Sequence, residues 1–153
     1  MGNSHASYWE ALEPVWEVVD IYGRPERFIG TYSEVPRKIG HLLAAHWCQS
    51  EVCNGGFHQF FCNSTGVLAP EALEGFLAIG MIEWAALLET AMSTFGRIYP
   101  RDRDERCNLL PQAATGQRRE QWDPFRELDA KFYLAQHPTW EQAADAYAEQ
   151  LDA

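Results

Sequence analysis

Residues 51–66 read Glu-Val-Cys-Asn-Gly-Gly-Phe-His-Gln-Phe-Phe-Cys-Asn-Ser-Thr-Gly, and they join one helical pattern to the next. Glycine adopts positive φ angles without the steric cost that other residues meet, and asparagine does so more readily than most. The run Asn54-Gly55-Gly56 therefore predicts a break in the helix, followed by an aromatic turn and a polar stop. Backbone groups left open at such a break need hydrogen-bond partners, which the side chains of Gln59 and Asn63 can supply.

The sequence before this segment predicts two helices separated by a loop. Apolar residues recur at helical spacing over residues 8–22, and Pro14 either kinks this helix or begins it. Residues 23–32 are predicted to form a loop. Ser33 is then the predicted N-cap of a buried helix over residues 39–52.

The sequence after residues 51–66, which we call the signature segment, begins with the longest helical pattern. Apolar residues at helical spacing extend over residues 71–95, with a predicted bend at Gly80 and a helix end at Gly96. Residues 99–119 are polar and rich in charges of both signs. They are predicted to form the longest irregular connection of the chain.

Two more helices are predicted near the C-terminus. Asp123-Pro124 is typical of a helix start, and His137-Pro138 is typical of its stop. Thr139 is the predicted cap of the last helix, with Gln142 where a capping box requires Glu or Gln. Because no segment shows convincing strand alternation, the sequence predicts an all-α fold with about six to eight helices in one compact domain.

Length and composition support a single folded domain. The chain has 153 residues, of which 46% are hydrophobic. This length suits one domain over residues 1–153, and we expect residues 1–6 to be disordered. The sequence has neither an apolar run of the roughly 18 residues that span a bilayer nor the pattern of a secretory signal. We therefore expect a cytoplasmic protein.

The acidic balance of the chain limits its partners. There are 12 basic and 22 acidic residues, which gives a formal net charge of −10. Binding of DNA or RNA requires a basic surface, so we expect no direct contact with nucleic acid, and the same reasoning excludes an anionic membrane. The charge favours a basic protein partner, or it serves solubility alone.

The negative charge is concentrated at the two ends of the chain. Residues 1–35 hold 6 acidic and 2 basic residues, residues 123–153 hold 7 and 2, and residues 36–122 hold 9 and 8. Acidic residues three or four apart would share one face of an unbroken helix. Two such rows are present: a first acidic row of Glu10, Glu13, Glu17 and Asp20, and a last acidic row of Glu141, Asp145, Glu149 and Asp152. These rows are either partner-binding surfaces or ordinary solvated helix faces.

The cysteines are candidates for metal ligands. Cys48, Cys53 and Cys62 lie near His41, His46 and His58 in the sequence, but their spacing is not that of a usual zinc site. Free cysteines that pack as small core residues are the favoured interpretation. We therefore expect no metal and no cofactor.

A catalytic interpretation of the signature segment is the alternative to a binding protein. Glu51, His58 and Cys62 are close enough in sequence to suggest an orienting group, a base and a nucleophile. However, the sequence has no nucleophile elbow, metalloprotease helix, phosphate loop or dinucleotide fingerprint. The residues therefore favour a protein that is not an enzyme, with an enzyme or ligand-binding domain built on this segment as the alternative.

The signature segment resembles the signature of the DMP-type DNA-mimic family, a bacterial family with an Asn-Gly-Gly-Phe-x-Gln core. The residues that carry the resemblance are Glu51, Asn54, Gly55, Gly56, Phe57, Gln59, Phe61, Asn63, Ser64 and Gly66. The similarity continues through residues 72–76, 79–80, 95–96, 99–101, 128–129 and 132–133. It thus covers most of the chain.

The resemblance implies an acidic, helical, cytoplasmic protein that can form a homodimer. It further implies a DNA mimic, whose carboxylates stand in place of phosphates on the DNA-binding surface of a helix-turn-helix transcription factor. An immunity-type inhibitor of a basic nuclease toxin would use the same acidic surface. The shared signature itself consists mostly of Gly, Asn and aromatic residues, so it is either a structural element or a ligand site.

Overall fold

The computed structural model describes residues 7–110, 124–135 and 138–152. Within this part of the chain there are eight α-helices and no strand. The helices are α1 (Tyr8–Leu12), α2 (Pro25–Ser33), α3 (Arg37–Cys62), α4 (Ala69–Ile79), α5 (Ile82–Met92), α6 (Arg103–Leu109), α7 (Arg126–Leu134) and α8 (Trp140–Glu149). Short 3₁₀ turns follow several of them, at Glu13–Val15, Ser64–Leu68, Ser93–Phe95 and Gln150–Asp152. The predicted all-α fold is confirmed.

Helix α3 is the centre of the fold, because α1, α4, α6, α7 and α8 all contact it. Its closest neighbour is α4, which crosses it at Gly75. A Cβ atom at Gly75 would lie 2.5 Å from the carbonyl oxygen of His41, so a glycine is needed for this approach. Helix α4 therefore lies against the half of α3 that contains His41.

Aromatic side chains fill the core around the second half of α3. Phe57 and Phe61 are fully buried and contact the ring of Phe125 at centroid distances of 6.2 and 5.3 Å. Trp84 stacks on Phe132 at 4.3 Å and donates its indole N–H to the Phe132 carbonyl oxygen at 2.8 Å. These contacts join α5 and α7 to α3, and the indole hydrogen bond satisfies the one polar atom that Trp84 brings into the core.

The two ends of the chain meet where α1 packs against α8. The backbone N–H of Tyr8 donates to Asp145 Oδ1 at 2.8 Å. The Tyr8 hydroxyl lies 3.1 Å from His46 Nδ1 and accepts from the indole N–H of Trp140 at 3.1 Å. A second histidine, His41, bonds the Tyr147 hydroxyl at 3.0 Å. Hydrogen bonds between buried side chains thus fix α1 and α8 against α3.

Several predicted boundaries are confirmed. Gly80 has a φ of 95° and ends α4, and Gly96 has a φ of 93° after the 3₁₀ turn that follows α5. Thr139 caps α8 and forms the predicted capping box with Gln142. None of the helices in residues 7–110, 124–135 and 138–152 is long and apolar enough to cross a membrane.

Three predictions near the N-terminus are wrong. The helix predicted over residues 8–22 ends at Leu12, because Pro14 lies in a 3₁₀ turn and the chain then turns away. The predicted loop 23–32 is helix α2, which Pro25 begins at the first helical position, where a proline costs no hydrogen bond. Ser33 is no N-cap; it ends α2, and its hydroxyl donates to the Gly30 carbonyl at 2.7 Å.

The predicted irregular connection over residues 99–119 is wrong in part. It contains α6, whose N-cap Asp102 accepts the backbone N–H of Glu105 at 3.0 Å. This N-cap pattern is the sequence signal that would have revealed the helix. The predicted start at Asp123, the stop at His137 and the predicted disorder of residues 1–6 lie outside the described residues.

Candidate functional site

The Gly-Gly run produces a kink inside α3 rather than the end of a helix. Gly56 has φ 82° and ψ 176°, whereas every other residue of α3 keeps helical angles. The kink removes the normal partner of the following N–H group, and Phe57 N donates to Asp129 Oδ1 of α7 at 2.8 Å instead. A Cβ atom at Gly56 would lie 2.4 Å from Asp129 Oδ2. Glycine is therefore required both for the backbone angles and for the approach of Asp129.

The polar residues of the signature segment bond to one another across this kink. Glu51, before the kink, accepts from Gln59 Nε2 at 2.7 Å and from Asn63 Nδ2 at 2.9 Å. Asn54 Nδ2 lies 3.4 Å from Gln59 Oε1, and a Cβ atom at Gly55 would lie only 1.7 Å from the same oxygen. One carboxylate thus joins both halves of α3, and the geometry favours a structural role for these side chains.

Arg106 of α6 holds the C-terminal end of the signature segment, and sequence reasoning missed it. The side chain is fully buried. Its Nε donates to the Phe61 carbonyl at 2.8 Å and its Nη2 to the Asn63 carbonyl at 3.0 Å. Its Nη1 donates to the carbonyls of Pro100 and Arg101. Four backbone carbonyls from two segments therefore share one guanidinium.

The thiols near the signature segment are poorly suited to nucleophilic chemistry. Burial, with a contribution from Cys107, raises the pKa of Cys62 to about 12, and burial also raises the pKa values of Cys48 and Cys53. A thiolate is the reactive form, so these groups are unreactive at neutral pH. In the described ranges no group of three or more His, Cys, Asp or Glu side chains could hold a metal ion.

The first acidic row does not lie on one helix. Glu10 is in α1, Glu13 is in the 3₁₀ turn and Glu17 is in the turn that follows, and all three side chains are exposed. Asp20 is half-buried and accepts the backbone N–H groups of Tyr22 and Gly23, each at 2.9 Å, and the Arg27 Nε at 2.7 Å. These backbone bonds and Arg27 hold the pKa of Asp20 below its ordinary value. Asp20 therefore stabilises a turn, and its charge is already paired.

The last acidic row is helical over most of its length. Glu141, Asp145 and Glu149 step by one turn along α8, and Asp152 follows in a 3₁₀ turn. Glu141 is exposed, whereas Asp145 is half-buried and receives the N–H of Tyr8 at the start of α1. Helices α1 and α8, each of which carries part of one acidic row, are therefore neighbours in space, which the sequence left open.

His46, beneath this junction, is expected to make the fold less stable between pH 6.5 and pH 4. Burial lowers its pKa from 6.5 to about 4. In that window the unfolded chain binds a proton that the folded chain does not, so the free energy of unfolding decreases by about 2.5 kcal/mol at pH 4.5. Above pH 6.5 both states are neutral and the full stability is present.

Urea unfolding at pH 7 and pH 4.5 measures this effect, with His46→Gln as a variant that does not titrate. The stability difference between the variant and the wild-type chain should narrow as the pH falls. An equal loss of stability in both chains would assign the acid sensitivity to other groups.

A comparison with protein families matches the signature segment and most of the rest of the chain. A family model described as DMP19-like protein matches residues 33–151. This range contains the kink at Gly56 together with Asp129, Arg106 and α8, and it begins after the first acidic row. The comparisons with curated proteins and with solved structures gave no significant match. Because the match spans most of the chain, the protein belongs to the DMP19-like protein family.

Proposed function

We propose that the protein is a non-enzymatic acidic binding protein that acts as a DNA mimic on the DNA-binding surface of a basic protein, such as a transcription factor. The observation that carries the proposal is the junction of α1 and α8. The Tyr8 N–H to Asp145 bond holds α1, which carries Glu10, against α8, which carries Glu141, Asp145 and Glu149. In the sequence, the segments that contain these helices, residues 1–35 and 123–153, carry net charges of −4 and −5.

The exposed carboxylates are the groups that would stand in for phosphates. Glu10, Glu13 and Glu17 near α1 and Glu141 on α8 all face solvent. Phosphates on one DNA strand are spaced by roughly 3.4 Å along the axis, whereas carboxylates one helical turn apart, as on α8, are separated by about 5.4 Å. The match to a phosphate row is therefore approximate, and the partner would be recognised chiefly by complementary charge.

Asp20 and Asp145 contribute less to such a surface than their positions in the rows suggested. Asp20 pairs with Arg27, and Asp145 accepts the N–H of Tyr8. Both carboxylates therefore have partners within the fold. We expect the exposed glutamates to carry the binding, by competition and without a chemical step.

Affinity capture from a lysate of the native cells, at low and then raised salt, tests the proposal. A captured DNA-binding protein should be released as salt rises, and its complex with DNA should dissociate when the acidic protein is added. Capture of only non-basic proteins that resist salt would overturn the mimic hypothesis. Capture of a single nuclease would instead support the immunity-type alternative.

Matched charge variants localise the surface. The test variant replaces three glutamates of the first acidic row with glutamine: Glu10, Glu13 and Glu17. The control removes the same charge from exposed positions on α5 and α6: Glu83, Glu89 and Glu105. We expect the test variant to weaken binding of the captured protein by at least about tenfold and the control by much less. Equal effects would indicate attraction by net charge alone.

The enzyme or ligand-binding alternative concerns the signature segment. Its polar atoms, including those of Glu51, Gln59 and Asn63, are engaged with one another, which argues for a structural role. A homodimer, which the family resemblance implies, stays a prediction that sedimentation velocity would test. Neither question alters the charge arrangement on which the mimic proposal rests.

A further inference from the structure

An aromatic cleft lies within the first acidic row. It has a volume of about 460 Å³ and is lined by Trp9, Glu13, Pro14, Trp16 and Glu17. We call it the tryptophan cleft. Trp9 is 46% exposed, an unusual exposure for so large an aromatic side chain. Two indole rings and two carboxylates thus share a surface that the sequence suggested only as a row of acids.

The rings of the tryptophan cleft are held in place from behind. The ring centroids of Trp9 and Trp16 are 5.5 Å apart with an interplanar angle of 52°. Trp16 stacks on Trp47 at 4.9 Å, and the edge of His46 contacts Trp9 at 4.6 Å. Tyr8 stacks on the Trp9 ring at 5.4 Å. The cleft is therefore preformed, so ordering its side chains would add little to the free-energy cost of binding a ligand.

The chemistry of the cleft selects a cation. Indole is the best of the aromatic rings at binding a positive charge over its face, and carboxylates beside the ring add direct ionic attraction. His46, which contacts both rings from behind, is neutral at pH 7 because its burial disfavours the charged form. No positive charge of the described residues lines the cleft. Arginine fits better than lysine, because its guanidinium is planar, weakly hydrated and stacks on aromatic faces.

We propose that the tryptophan cleft binds the guanidinium of an arginine side chain, between the rings of Trp9 and Trp16 and the carboxylates of Glu13 and Glu17. The inference rests on the proposed function in one respect: the arginine belongs to the basic protein that the acidic surface recognises. DNA-binding proteins carry arginines for contacts to phosphates and bases, so such a side chain is available on that surface. The cleft would then add short-range selectivity to a long-range attraction.

Two other clefts lack the combination of aromatic ring faces and net negative charge. The cleft of about 390 Å³ near Arg24, Arg101 and Arg103 carries cations of its own. The cleft of about 430 Å³ between α5 and α7 is bordered by Lys131 and has no aromatic ring. Neither one offers ring faces together with an excess of carboxylates. Of these three clefts, the tryptophan cleft is therefore the best candidate for binding an arginine.

The first test uses a small probe and does not depend on the identity of the partner. N-acetyl-arginine amide is titrated into the ¹⁵N-labelled protein, with the neutral N-acetyl-citrulline amide as an isosteric control. The arginine probe should shift the indole N–H signals of Trp9 and Trp16 and leave that of the buried Trp84 unchanged. Assignments come from Trp9→Phe and Trp16→Phe. Equal shifts with citrulline, or shifts at other indoles only, would overturn the proposal.

The second test uses the captured partner and separates the cleft from general charge. Trp9→Leu keeps every carboxylate, so the salt dependence of binding should be preserved while the affinity falls about three- to tenfold. Tyr22→Leu, at an 80% exposed tyrosine outside the cleft, should have no effect. An unchanged affinity in Trp9→Leu, alongside the loss in the glutamate variant, would refute the arginine site and leave the mimic proposal intact. If no basic partner is captured, the mimic proposal fails while the probe titration still decides the cleft.

Discussion

Arg106→Met is expected to destabilise the protein by about 4 kcal/mol. This is a large share of the net free energy of unfolding of a typical domain, which is roughly 5–15 kcal/mol. The guanidinium is fully buried and satisfies the carbonyls of Phe61, Asn63, Pro100 and Arg101. Methionine has similar length but no donor, so it would leave four carbonyl oxygens without their partner in the interior. An unsatisfied buried polar group costs about 1–3 kcal/mol, and relaxation will recover part of the total.

The same guanidinium also joins two parts of the fold. It connects the C-terminal end of α3 to the segment before α6, and its carbon lies 5.9 Å from the centroid of the Tyr99 ring. Removing the guanidinium should therefore destabilise the whole folded domain and lower the midpoint of urea unfolding. A change confined to local fraying of α6 would leave that midpoint nearly unchanged.

Two further variants separate geometry from charge. Arg103→Met in the same helix removes an exposed arginine whose Nε donates to the Cys62 carbonyl at 2.6 Å, and it should cost less than about 1 kcal/mol. Arg106→Lys keeps the charge but places its donors at a single nitrogen, so it should reproduce most of the loss. If the free energy of unfolding of Arg106→Met lies within about 1 kcal/mol of that of the wild-type chain, the four carbonyls find other partners and the role assigned to Arg106 is wrong.

The sequence predicted those helix ends that are determined by neighbouring residues. Thr139 and Gln142 form a capping box, and Gly80 ends α4 with a positive φ, because both features are decided by residues within one turn. The loop predicted over residues 23–32 is wrong although the sequence carried two helix signals. Pro25 stands at the first helical position, and Phe28 and Tyr32, one turn apart, both pack in the core.

The site depends on contacts between distant residues, which no local pattern reports. The sequence singled out Gly56, Glu51 and Gln59, but it gave no sign that Asp129 would replace the missing acceptor of Phe57. The contact joins residues 72 positions apart. The tryptophan cleft was missed for a related reason: Trp9 and Trp16 approach each other only because α1 ends at Leu12 and the chain turns.

Gly56→Ala is expected to destabilise the fold by about 3 kcal/mol, for two reasons that can be measured apart. A φ of 82° with a ψ of 176° is nearly forbidden to residues with a Cβ atom. The added Cβ would also lie 2.4 Å from Asp129 Oδ2 and displace the carboxylate that accepts Phe57 N–H. Gly96→Ala is the control for the backbone angles alone, because its φ of 93° and ψ of −158° lie in the same region as those of Gly56 and no atom lies within 4 Å of the added Cβ. It should cost about 2 kcal/mol.

A double-mutant cycle with Asp129→Ala measures how much of the destabilisation by Gly56→Ala comes from the contact with Asp129. Removing the carboxylate relieves the crowding at residue 56, so the two substitutions should cost less together than the sum of their separate effects, by about 1 kcal/mol. Chemical denaturation of the four chains gives this coupling. Additive effects would mean that Asp129 moves aside without cost, and the kink would then depend on the glycine's backbone freedom alone. A coupling of the expected sign would instead make residues 56 and 129 one structural unit, in which the glycine is required because the carboxylate must come close enough to cap the second half of α3.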